Sequence, residues 1–297
     1  MASSSDVAED GKGYFAVDLQ IASKCALLRL AVQPLDANFV LPVEYIRASN
    51  ELMLLGLAVT WVITASVNPH IIETNQLKNY VGYNNPCVGW DMAPANYIGH
   101  LACVVMAHFA WQYAWWDAAR TQLRDDDGHI SVKEAFIVGA DYLYAISTTG
   151  LTLIFLVGPP NGAWGWHTFI FVQYILCKFL LAWANYLESP PEARTLLHRL
   201  FIRVYGIISV ALPACYAIAI GVYEAEGRVG LDPPIPWFVT CVLDYAWVAC
   251  QIGLSRLLPP EPPLRVYREV LRPGEHHQLT REDVKRLVKL GVKVRNV

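Results

Sequence analysis

Six stretches of this 297-residue chain are long and apolar enough to cross a lipid bilayer, near 50–69, 95–116, 132–157, 167–188, 200–223 and 235–257. A helix needs about 20 apolar residues to cross the hydrocarbon core. In lipid only helices and closed barrels satisfy their own backbone polar groups. Runs of this length without strict alternation predict helices. Composition agrees: 55% of residues are hydrophobic and 16% are charged, where soluble domains carry about 25% charged residues. The expected fold is all-α, an integral membrane bundle of six transmembrane helices over residues 50–257. Residues 1–49 read as a tail and an interfacial helix near Ile21–Val32. Residues 258–297 read as a proline-rich exit, Pro259–Pro263, and a short soluble helix from the capping-box-like Thr280–Asp283 to about Leu290.

The basic residues order the connections. Loop 117–133 holds Arg120, Arg124 and Lys133, loop 189–203 holds Arg194, Arg199 and Arg203, and the tail after Arg256 is rich in Lys and Arg. The opposite connections hold Lys78, no base in 158–166, and Arg228. By the positive-inside rule both termini face the cytoplasm or matrix. The N-terminal MASSSDVAEDGKG lacks the apolar core of a signal peptide. A net charge of −3 and no basic, aromatic-interleaved surface argue against nucleic acid as a partner. The seven cysteines form no CxxC pair, which argues against zinc or a disulfide framework.

The longest charged patch between apolar runs admits two local readings. Asp125, Asp127, Gly128, Ile130, Ser131 and Glu134 fall at positions 3, 5, 6, 8, 9 and 12 of a calcium loop, but position 1 would be Leu123, which has no oxygen to offer. Ser131 and Glu134 also have capping-box spacing for the helix that follows, and that is the expected structure. Asp141, Lys178 and Asp244 fall near the middle of predicted spans. Ionisable groups there face the protein interior and often mark proton or ion paths; a structural ion pair or a snorkelling lysine is the plainer reading. His100 and His108 share one span and His167 begins another, a spacing that fits helix packing better than haem ligation. No Walker loop, GxSxG or HExxH occurs.

A further pattern runs through the chain. Tyr113-Ala-Trp115-Trp116-Asp117-Ala-Ala-Arg120, then Gly128-His129, Ile146-Ser147-Thr148, Trp183-Ala184-Asn185-Tyr186, Tyr223-Glu224-Ala225 and Phe238-Val239 through Asp244, Trp247 and Val248 follow one another in order. Together they resemble the motifs of cytochrome c oxidase subunit III. The chain departs from that family where Thr148 stands for a membrane-buried glutamate and where Asp244 and Trp247 stand for two histidines. A seventh helix also has no counterpart.

The resemblance implies a non-catalytic, lipid-binding subunit of a haem–copper respiratory oxidase, in the mitochondrial inner membrane with both termini in the matrix. It implies a catalytic oxidase subunit as partner. It also implies phospholipid held in a cleft between the first two helices and the other four, with no haem or metal bound by this chain. Trp115 and Trp116 at the headgroup level, with Arg120 and Arg124 beyond them, are the candidate lipid contacts. Two alternatives stay open: a six-helix ion or proton transporter using Asp141, Lys178 and Asp244, and a lineage-specific scaffold subunit of a respiratory complex.

Overall fold

The computed structural model describes residues 25–32, 39–40, 42–75, 78, 83–124, 131–156, 164–189, 191–226, 237–257 and 264–265. Six long helices dominate: α2 (Pro42–Val67), α4 (Ala95–Arg124), α5 (Val132–Leu151), α6 (Trp164–Glu188), α7 (Leu196–Glu226) and α8 (Trp237–Leu257). Two short helices, α1 (Ala26–Val32) and α3 (Pro69–Glu73), flank α2. The one strand pair among the described residues is a two-residue antiparallel ladder joining Phe39–Val40 to Leu264–Arg265. It ties the chain just before α2 to the chain just after α8.

Among the described residues four helical segments, against the six spans expected, are long and apolar enough to cross a membrane: Pro42–Val67, Val132–Phe155, Gly165–Glu188 and Leu196–Ala219. They mark an integral membrane protein. The apolar stretch of α8 is shorter, Phe238–Leu254. Helix α4 is long, but Asn96, His100, His108 and Gln112 interrupt its apolar surface.

The helices run longer than their apolar stretches where polar residues find partners. The expected first span began at residue 50, whereas α2 begins eight residues earlier. Arg47 pairs with Glu44 at 2.9 Å, and Glu51 accepts from the Cys25 thiol and from the Leu27 amide at 2.9 Å. A carboxylate beside the first turn of α1 satisfies an orphan amide and suits the helix dipole. At α5 the Ser131 side chain accepts from the Glu134 amide while Glu134 accepts from the Ser131 amide, which completes the expected capping box. Residues 125–130 of the calcium reading and the helix expected at 280–290 lie outside the described residues.

The six long helices form a ring in sequence order. Each packs on its chain neighbour, and α8 closes back onto α2. Gly56 lets α2 approach Ala102 of α4. Trp111 of α4 donates to Thr149 of α5 at 3.0 Å. Gln173 of α6 donates to the Ser147 carbonyl of α5, Phe179 of α6 meets Tyr205 of α7 edge-on, and Tyr216 of α7 donates to Asp244 of α8.

This closure corrects the expected two-plus-four division. Helices α2 and α4 do not stand apart from the rest. Ser49 of α2 hydrogen-bonds Tyr144 of α5 at 3.1 Å, and Asn185 of α6 donates to Tyr113 of α4 at 2.9 Å. One apolar core runs through all six helices. Small residues at 102, 110, 114, 145 and 182 let side chains of the first two helices reach the others directly.

A cap closes one end of the ring. The 3-10 turn Pro86–Trp90 and the residues around it lie over the ends of α2 and α4. Trp61 donates to the Pro86 carbonyl, Thr64 to the Gly89 carbonyl and Asn68 to the Ala93 carbonyl. Tyr245 of α8 donates to Asn84. Gly89 is required by contact: a Cβ there would sit 2.8 Å from the Thr60 carbonyl carbon and 2.9 Å from the Trp61 nitrogen. Gly139, by contrast, faces open space.

Gly89→Ala should therefore lower the thermal midpoint in detergent, by the roughly 1–3 kcal/mol typical of overpacking. Gly139→Ala should leave it unchanged or raise it, since Ala is the better helix former. Equal midpoints for the two variants would contradict the sealed cap.

Candidate functional site

Lys178 lies at the centre of the ring. It stands fourteen residues into the 25-residue α6, roughly 21 Å from the start of that helix, and none of its surface is exposed. Its Nζ donates to the Tyr174 hydroxyl at 2.8 Å and approaches the Met53 sulfur at 3.9 Å. The Tyr174 hydroxyl in turn points to the same sulfur at 3.8 Å. The Trp247 ring of α8 lies 5.9 Å from Nζ, and the Cys103 thiol of α4 is close enough to interact with it electrostatically. Nζ is also 5.1 Å from the Tyr174 ring centre. That distance follows from the hydroxyl contact, because Nζ lies off the oxygen end of the ring. Tyr174 therefore acts as a hydrogen-bond acceptor, and Trp247 is the π partner.

No carboxylate among the described residues lies within ion-pair distance of Lys178. An unpaired lysine at the middle of a membrane helix costs on the order of 3 kcal/mol on insertion scales. One hydrogen bond contributes about 1 kcal/mol, and a desolvated cation–π contact about 2 kcal/mol. The local partners thus roughly offset the burial cost and leave no surplus. Stabilisation alone does not account for a lysine here, since a methionine would fill the same space at no charge cost.

Around this amine the polar groups form a layer. Tyr144 and Tyr174 approach with ring centres 6.4 Å apart, and Ser49 extends the layer to α2. Thr148 is buried, but its hydroxyl donates to the Tyr144 carbonyl one turn back. It is committed to its own helix.

The three ionisable residues expected in mid-span are all buried, on three different helices. Contacts from Ser147 to Gln173 and from Phe136 to Trp183 set the register of α5 against α6 and put Asp141 level with Lys178. The two are not ion-paired. Asp244 stands nearer the cap, seven residues into α8 and so roughly 10 Å from its start. It accepts from Tyr216 at 3.1 Å, with Tyr83 of the cap segment beside it.

The candidate lipid contacts do not share a face. Trp115 is 60% exposed, while Trp116 turns inward beside Tyr45. Arg120 and Arg124 are in the last turns of α4, with side chains outside the described residues. The histidines are dispersed: His100 stacks on Phe155, His108 tilts against Phe109, and His167 lines a small pocket under the cap. Among the described residues no group of three His, Cys, Asp or Glu is arranged to hold a metal ion.

That pocket was not expected from the sequence. Cys87, Trp90, Asp91, Asn96, Ile154, Phe155 and His167 line a space of about 20 Å³. Burial pushes the Asp91 carboxyl up to about 7 from an ordinary value of 3.8. Tyr174, four residues before Lys178 and so on the same helical face, was the readable signal that went unread.

Two measurements check this description. Tyr174→Phe should destabilise the protein by on the order of 1 kcal/mol by leaving the Lys178 amine without its oxygen partner. Adding Lys178→Met should recover that loss in a double-mutant cycle, and additive losses would contradict the pairing. For Asp91, a raised folded-state value means that stability is fully present below about 4 and is lost as pH rises through about 7. Asp91→Asn should flatten the fall of the thermal midpoint over that window. Comparison of the chain with models of known families, with curated proteins and with solved structures finds no match.

Proposed function

We propose that this protein is a six-helix membrane carrier of protons or small cations, with Lys178, Asp141 and Asp244 as its exchangeable groups. In this reading α4 and α8 cross the membrane with the four more apolar helices, flanked on both sides by ring neighbours. Loop charges place both termini on the cytoplasmic or matrix face. The observation that carries the reading is Lys178: a buried amine with no carboxylate partner, held by a tyrosine hydroxyl where six helices converge. Intramembrane ionisable groups that stabilisation does not explain are the usual mark of ion and proton paths. Tyrosine hydroxyls accept and donate, so the Ser49, Tyr144 and Tyr174 layer offers hydrogen-bonding steps beside the amine.

A second reading rests on the ordered motifs from Trp115 to Val248. It makes the chain a non-catalytic subunit of a haem–copper oxidase in the mitochondrial inner membrane, binding phospholipid and a catalytic oxidase subunit. Hydrogen bonds join α2 to α5 and α6 to α4 directly, across the line where that reading calls for a lipid cleft. A scaffold role in a respiratory complex keeps the partners and leaves Lys178 structural.

Purified protein in liposomes carrying a pH-sensitive dye separates these readings. A carrier gives proton flux above empty vesicles when a potential is applied, and Lys178→Met lowers it by about tenfold or more. A protein that is silent in vesicles and co-purifies with haem absorbance is the oxidase subunit instead.

A further inference from the structure

The cap pocket has no place in the central polar layer, yet it is built from polar groups that a merely structural cap would not need. The Trp90 side chain is 7% exposed, and its indole N–H has no hydrogen-bond partner among the described residues. The side-chain oxygen of Asn96, in the first turn of α4, is buried and likewise has no partner. Both residues line the pocket with the Asp91 carboxyl. A buried donor and a buried acceptor each cost about 1–3 kcal/mol when left unmade. A space of about 20 Å³ bounded by such groups holds one water molecule, which needs at least two polar partners.

The pocket also points toward a carboxylate already described. Cys87 lines it and lies close enough to both Asp91 and Asp244 to interact electrostatically with each. Tyr83, four residues earlier in the same cap, stands beside Asp244 and Tyr216. The cap therefore touches solution-side Asp91 at one end and buried Asp244 at the other. It is held there by backbone acceptors at Asn84, Pro86 and Gly89.

We propose that this pocket is the port through which protons pass between the solution on the cap face and Asp244, by way of one water bound to Trp90 and Asn96 beside Asp91. The proposal rests on the carrier reading above and adds its opening on one side. In the inward step the Asp91 carboxylic acid gives its proton to the pocket water, and that water gives one of its own onward past Cys87 toward Asp244. Each transfer breaks one O–H bond and makes another. The Asp91 carboxylate is then reprotonated from solution. Cys87 of the cap turn lies close enough to Asp91 to interact with it, His167 of α6 lines the same pocket, and Asp244 lies beyond Cys87. No ion pair to Asp91 occurs among the described residues, and burial accounts for its readiness to hold a proton near neutral pH.

The experiment uses the full chain in oriented vesicles, with pH varied only on the cap face. Wild-type flux should show an inflection near pH 7. Asp91→Asn should lower the flux by about tenfold or more and erase the inflection, and Asp91→Glu should keep both. Asn is close in shape to Asp, and the thermal midpoint of Asp91→Asn at pH 8 should be no lower than that of the wild type, which excludes a folding defect. Wild-type flux that Asp91→Asn leaves unchanged overturns the port and spares the carrier reading. Vesicles with wild-type protein and no flux overturn both.

Discussion

The contact between Lys178 and Tyr174 is the place where the demands of the bilayer and those of the fold meet. An ammonium or amine at mid-membrane needs an oxygen partner, and the protein supplies one from the preceding turn of the same helix. Every other long helix is then arranged around that pair. Met53 comes from α2, Cys103 from α4, Tyr144 from α5, Tyr205 from α7 and Trp247 from α8, all of them buried. The ring closes because the first helix must reach this centre as closely as the fourth does. A separated pair of helices would leave Met53 and Ser49 facing lipid, and cost Tyr144 its Ser49 partner and Tyr174 its contact with the Met53 sulfur.

The cap follows from the same constraint at another level. Where helices end, their last carbonyls and the intervening loop must find donors. The cap meets this with Trp61 and Thr64 of α2, Asn68 just after it and Tyr245 of α8, whose side chains donate into its backbone. Gly89 permits the approach because a Cβ would strike the backbone of α2. A loop held this firmly can bury Asp91 partway and set Tyr83 against Asp244, which a mobile connection would not do. The polar interior is therefore continuous in kind, though not in contact, from the cap to the middle of the bundle.

Much of this architecture was legible in the chain. Apolar runs located all six long helices, and four segments of them are long and apolar enough to cross a membrane. The Ser131–Glu134 box fixed the start of α5, since capping is local. Ends governed by tertiary partners were not legible: α2 begins before its apolar run because Glu44, Arg47 and Glu51 find partners that no window can see. Asp141, Lys178 and Asp244 stood out as mid-span charges, and all three are buried. Their spread over three helices was plain from the spans; which way each one faces was hidden, because facing depends on how the helices rotate in the ring. The pocket was missed for a related reason: Cys87, Trp90 and Asp91 lie between two apolar runs, and only the fold brings them together with Asn96 and His167. The resemblance to an oxidase subunit suggested a lipid cleft, and the direct bonds from α2 to α5 and from α6 to α4 could not be read from the motifs.

In a carrier, the Lys178 amine, though sealed among six helices, exchanges protons with solution. The most direct measurement is the nitrogen resonance of Lys178 in nitrogen-15-lysine-labelled protein in lipid bilayers, assigned by its loss in Lys178→Met. In a carrier this resonance shifts with bulk pH. A resonance that stays fixed from pH 5 to pH 10 while the exposed lysines titrate normally would contradict it and leave Lys178 a structural residue.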